Sequence, residues 1–282
     1  ALVDRVSADH PQRPILLASA ATRLIRRGLI GDARRLAAEA AQRAGDSAAA
    51  LPALDALVDA GLFDGRLDEC SAAARAMVEV APRHGDTHFV AVGTVGVALA
   101  AAYGGRPDPA AEAALEGLER AALSPSARGW VAYARGELCQ PHDPDQALAH
   151  FDEARREARR VSNRYLEGAA TVSSCSLRAR TGDPDEALTV FADAVNHWRR
   201  VANRPGLLTT LRNLATLFQR LDMPEAVAEL AGPVDRDKPT YGDEADRLDA
   251  ARAWARAALG DERFDELTTV GASRHLTAAT NA

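Results

Sequence analysis

From Ala187 onward, the apolar residues Ala187, Leu188, Phe191, Ala194, Val195, Trp198 and Val201 recur at steps of three and four. That spacing lays one continuous stripe along a helix. Asp183 ahead of it is a good N-cap, Pro184 suits the first helical position, and Glu186 stands three after the cap. Arg199 and Arg200 fall in the last turn, where positive charge complements the helix dipole. The same pattern stands 40 residues earlier: Asp143, Pro144 and Gln146 open it, Leu148, Phe151, Ala158 and Val161 form the stripe, and Arg159 and Arg160 close it. Each copy is followed by a second helical stripe. One runs through Leu207, Leu208, Leu211, Leu214, Ala215, Phe218 and Leu221, and a weaker one through Leu166, Ala169, Ala170, Ser173 and Leu177. A third start stands at Asp222, with Pro224, Glu225 and Ala226.

Fainter turns precede these, at Gly31–Asp32, Asp64–Gly65 and Gly104–Gly105. Successive turns are separated by roughly 33 to 41 residues, a period that denotes a helical solenoid. A helix pair cannot bury its apolar face alone, so the chain repeats the pair and stacks it. The longest apolar run, Phe89 to Tyr103, is shorter than the roughly 20 residues a bilayer span needs. It predicts a buried helix in which Gly93 and Gly96 permit close packing. The stretch 232–247 reads as a loop before one last helix, Ala245 to Leu259. The array is expected over residues 1–270, clearest over 140–231 and weaker over 14–139, with a frayed tail over 271–282.

Composition agrees with an all-α chain. Hydrophobic residues make up 47% and aromatics only 5%, with Ala dominant. The net charge of −6 argues against a dedicated nucleic-acid binder. Lys238 is the only lysine, and arginine over lysine with abundant Ala suggests a GC-rich, actinobacterial genome. Three widely spaced cysteines give no disulfide framework, and no secretory leader is visible, so a reducing cytoplasm is expected and no membrane association.

Ala187-x-x-x-Phe191 with Ala194, and Ala147-x-x-x-Phe151 with Ala154, resemble the second helix of a tetratricopeptide repeat. The stretches GDPDEAL and NLATLFQRLD look like its roughly 40-residue variant, common in large bacterial transcription regulators with a signal-transduction ATPase core, LuxR-type regulators among them. Arg256 to Leu267, followed by Gly271, resembles the segment that closes the repeats in those regulators. Cys175 and Ala215 depart from the pattern, standing where it usually has Gly. The resemblance implies a right-handed α-solenoid that binds a protein or peptide partner, or the regulator's own ATPase core, in a concave groove. A stand-alone adaptor bridging two proteins is the alternative. Carried over by register, the groove positions are Ser176, Arg180, Thr209, Arg212, Thr216, Gln219 and Arg220. Arg180, Arg212 and Arg220 there would form a cationic strip suited to an acidic or phosphorylated partner; the competing reading is a solvated helix face.

No catalytic pattern competes. Lys238 lies between Asp237 and Pro239, so the phosphate-cradling Gly-Lys-Ser/Thr loop is absent and any ATPase must lie elsewhere. No helix-turn-helix or zinc-finger spacing is present. His84 and His88 lack the glutamate of the zinc-protease pattern, and Gly85–Asp86 between them reads as a turn. Cys139 and His142 have metal-like spacing but no second pair. Ser173, Ser174 and Ser176 have no histidine near them in sequence, and Cys175 reads as core. No enzyme activity, cofactor or metal is expected.

Overall fold

The computed structural model describes residues 7, 10–106, 108–119, 121, 123–234 and 244–280. The loop expected around Lys238 falls largely on residues 235–243, outside the described residues. The described residues contain no strand and fourteen α-helices: α1 (Arg13–Arg26), α2 (Ile30–Ala44), α3 (Leu51–Phe63), α4 (Leu67–Val80), α5 (Thr87–Tyr103), α6 (Pro109–Glu119), α7 (Pro125–Cys139), α8 (Pro144–Arg160), α9 (Arg164–Thr181), α10 (Pro184–Arg200), α11 (Arg204–Arg220), α12 (Pro224–Val234), α13 (Glu244–Leu259) and α14 (Asp261–Thr280). The chain is all-α, as its periodicity predicts. Two compact units divide within α9, Ala1–Ala170 and Thr171–Ala282.

In the first unit each helix packs on its sequence neighbour, and α1, α3, α5 and α7 also pack in succession. This is the stacking of helix pairs that the repeat predicts. Small side chains set the spacing. Ala21, Ala33, Ala37, Ala56 and Ala60 are buried together around Ile25. Residues 91–100 of α5 are buried on every side. A Cβ on Gly93 would lie 2.9 Å from the Ala74 carbonyl oxygen, so only glycine allows α5 this close to α4. In the second unit α11 packs on α10, α12 and α13, and α12 packs on α14. Phe191 and Trp198 are buried there, as is Phe151 in the first unit, which confirms the helical register.

The turns explain why the copies are so alike. Gly45, Gly65, Gly85 and Gly105 lie 20 residues apart, each with positive φ at a helix end. Further on, non-glycine residues take that conformation: Ser162, Ala202 and Asp222. After Ser162 and Ala202 stands an asparagine with two tasks. The backbone N–H of Asn163 closes α8 by donating to the Ala158 carbonyl, and that of Asn203 closes α10 by donating to the Trp198 carbonyl. Their side-chain oxygens then accept from Leu166 N–H at 3.1 Å and Gly206 N–H at 2.9 Å, capping α9 and α11. Asp143 and Asp183 cap α8 and α10 as expected.

Three expectations need correction. The first turn is centred on Gly28, with Gly31 and Asp32 already inside α2, because the left-handed residue closing α1 is Gly28. Asp222 is not a cap: it is the left-handed residue closing α11, and Met223 occupies the position that corresponds to Asp183. Two helices, not one, follow residue 243. Helix α14 carries Gly271, which is buried against the Glu229 carbonyl of α12 and leaves no room for a Cβ.

Candidate functional site

The residues expected to line a groove lie in the second unit, on α9 and α11. Ser176, Thr209, Thr216 and Gln219 are half-buried. Asn213, not foreseen, lies between them in the structure. Its side-chain N–H donates to the Thr209 carbonyl at 3.0 Å. From α13, Arg247 donates to Asn213 Oδ1 at 3.2 Å and to Ser176 Oγ at 3.5 Å. One guanidinium thereby ties α9, α11 and α13 together.

The cationic strip does not form as expected. Arg212 is only 5% exposed. The Arg220 guanidinium donates to the carbonyls of Arg178, Ala179 and Gly182 at 3.2, 2.7 and 3.1 Å. The Arg178 carbonyl also accepts from Gly182 N–H, and all three carbonyls lie at the end of α9, so Arg220 works as a C-terminal cap supplied by another helix. Arg180 donates through Nε to the Ser176 carbonyl at 3.2 Å. Sequence spacing correctly put the arginines at repeat positions but could not show that the chain's own carbonyls engage two of them. Arg159 is likewise more than a dipole partner. It pairs with the mostly buried Glu167 at 2.8 Å, and Arg164 joins the same carboxylate at 2.9 Å. Leu207 stands at the corresponding place in the next repeat, so Arg199 has no such partner.

A second surface, in the first unit, was not anticipated. The chain has six Phe, three Trp and four Tyr, and Phe63, Tyr103, Trp130, Tyr133 and Tyr165 join in one cluster. Phe63 of α3 meets Tyr165 of α9 edge-on at 6.4 Å between ring centroids. Tyr165 meets Trp130 of α7 at 5.9 Å, and Trp130 meets Tyr133 edge-on at 5.9 Å. The hydroxyls of Tyr133 and of Tyr103 on α5 lie 3.0 Å apart, in hydrogen-bond contact. Phe63, Trp130 and Tyr165 are half-buried. Four helices thus contribute rings to one face.

Two carboxylates stand on the Phe63 side of α3. Asp55, Asp59 and Phe63 succeed one another at steps of four on α3, one above the other. Burial pushes the Asp55 carboxyl up to about 6. Burial also holds Asp59 well above the usual carboxylate range, the charge of Asp55 adds to this, and Arg26 of α1 opposes it. Neither aspartate forms a hydrogen bond or a salt bridge with any other described residue. The signal was present in LPALDALVDAGLF, an apolar helix with two acids on one face, and in the crowding of three of the four tyrosines between residues 103 and 165.

Other candidates have structural tasks. His84 meets the Asp46 carbonyl at 2.8 Å, and Asp86 caps α5 by accepting from His88 and Phe89 N–H. Cys139 Sγ donates to the Gly136 carbonyl at 3.8 Å, and His142 lies in the turn that follows. Cys175 is fully buried beside Phe191. Burial, helped by Asp59, pushes the Cys70 thiol up to about 12, which leaves it inert. Among the described residues no three His, Cys, Asp or Glu side chains converge as a metal site. None of the described helices is long and apolar enough to cross a membrane.

Residues 169–231 match the model of the family described as Tetratricopeptide repeat. They cover the end of the first clear copy, the whole of the second and the start of the third. No curated protein matches the chain. The matched stretch is similar to tetratricopeptide repeats, and such repeats generally mediate protein–protein interaction by presenting a surface built from stacked helices.

Proposed function

We propose that this chain is the non-catalytic sensor module of a multidomain bacterial transcription regulator, engaging a protein or peptide partner inside the cell. The partner in this reading is the regulator's own ATPase core, which the module holds off or releases. The observation that carries it is the tetratricopeptide match over residues 169–231, in a chain of paired helices. The long 40-residue period and the resemblance of Arg256–Leu267 to the closing segment of such regulators add the regulatory context. In the second unit the partner would meet Ser176, Thr209, Thr216 and Gln219, which are half-buried and line α9 and α11. Arg180, Arg212 and Arg220 mainly shape that wall, because the chain itself engages them. The test is to read the open reading frame on both sides of this segment and to co-purify the chain with any nucleotide-binding region encoded there. Stable association that nucleotide alters supports the regulator. A reading frame without a phosphate-loop ATPase refutes it and favours the stand-alone adaptor.

A further inference from the structure

Asp55 and Asp59 contrast with three other buried or half-buried acids of the first unit, Glu157, Glu167 and Asp64. Glu157 is held by Arg128 at 3.0 Å and by Arg160 at 2.9 Å. Glu167 has Arg159 and Arg164. Asp64 has Arg34 at 3.3 Å and Arg66 at 3.1 Å. Each of these three carboxylates is held by two guanidiniums. Asp55 and Asp59 are not. Only Arg26 acts on Asp59, and it forms no salt bridge with it among the described residues. Phe63 stands one helical turn beyond Asp59 on α3, and the half-buried rings of Tyr165 and Trp130 join it.

We propose that this face of the first unit, formed by Asp55, Asp59, Phe63, Trp130 and Tyr165, seats an arginine-bearing peptide segment of the protein partner. The proposal rests on the interaction-module reading above and adds the chemistry of the occupant. A guanidinium fits both halves of the face. Its plane stacks on aromatic rings, and its fork of N–H donors pairs with a carboxylate in bidentate fashion. An ammonium has no plane to stack, so lysine fits less well. The same chain shows a guanidinium over a ring where Arg256 lies 4.3 Å from the Phe264 ring centre. Two carboxylates one helical turn apart accommodate one or two arginines of an extended segment. Burial already makes their charge costly, and an incoming cation removes that cost on binding.

The experiment uses the full 282-residue chain and a fluorescent probe peptide, Gly-Ser-Arg-Gly-Arg-Ser-Gly, followed by anisotropy. Control peptides carry lysine or the neutral isostere citrulline in place of arginine. Saturable binding at micromolar levels is expected for the arginine peptide, with at least tenfold weaker binding for both controls. Asp55→Asn with Asp59→Asn is expected to weaken the arginine peptide at least tenfold while the melting temperature stays level or rises. Asp145→Asn with Glu153→Gln, which removes the same charge from the exposed face of α8, is expected to leave affinity unchanged. Equal binding of citrulline or lysine, undiminished binding by the double-asparagine variant, equal weakening by the α8 variant, or no saturable binding below millimolar would each overturn the proposal. Co-purification with the ATPase region that persists in the double-asparagine variant would overturn this assignment alone and leave the functional reading intact.

Discussion

Replacing Asp55 by asparagine should stabilise the protein, and only above a definable pH. Asp55 sits half-buried on α3, with its carboxyl raised from 3.8 to about 6 by loss of hydration. At about 1.4 kcal/mol per pKa unit, that difference amounts to about 3 kcal/mol. Below about pH 3.8 the side chain is protonated in both folded and unfolded chains, and substitution changes little. Between 3.8 and about 6 the unfolded chain ionises while the folded chain keeps its proton, so stability falls as pH rises. Above about 6 the folded chain carries the whole cost. Asparagine has nearly the same shape and no charge, and it also relieves the repulsion on Asp59. At pH 7.5 the variant should melt higher, by roughly 6–12 °C at most, taking about 2–4 °C per kcal/mol for a domain of this size. The gap should close as the pH approaches 4. Scanning calorimetry at several pH values measures the gap, and carbon NMR of the Asp55 carboxyl measures its midpoint directly. A variant that melts at or below the wild-type temperature at pH 7.5, or a gap that does not narrow on acidification, would refute the reasoning.

Phe151→Ala should cost about 3–5 kcal/mol in a urea titration, since the ring is fully buried and fills the space left by Gly136; wild-type stability would mean that the helix register is wrong. Ala202→Gly should raise stability by about 1 kcal/mol, because Ala202 holds a left-handed φ of 52° that glycine adopts freely, and a loss would show that its methyl group is needed. Arg220→Ala should destabilise by about 1–3 kcal/mol and speed amide exchange in the last turn of α9, whose carbonyls it caps; unchanged exchange there would falsify that role.

How much the sequence disclosed depended on whether the signal was local. The stripe from Ala187 to Trp198, the caps Asp143 and Asp183, and the turns at Asp64–Gly65 and Gly104–Gly105 are each written within one helix or one turn, and they were legible. Gly28 was missed because Gly31–Asp32 offers an equally good turn motif three residues away, and only tertiary packing chooses between them. Asp222 was misread because aspartate serves both as an N-cap and as a left-handed residue. The partners of Arg220 lie about 40 positions away and are backbone carbonyls, which no side-chain pattern announces. The aromatic face failed for the same reason: Phe63 and Tyr165 are about 100 residues apart, and only the stacking of four helices brings them together.

Asn163–Arg164 and Asn203–Arg204 are the same dipeptide at the same kind of junction, each asparagine ending one helix and starting the next. Residues 164–203 therefore form a cassette whose two borders are chemically interchangeable. Excising it would join Asn163 to Arg204, and the side chain that capped α9 would find the N–H of Gly206 in place of that of Leu166. Duplicating it would need no new turn either. A gene that carries such borders can lengthen or shorten its product by unequal crossing-over without inventing a loop, so the reach of the protein becomes a trait that recombination can adjust in single steps.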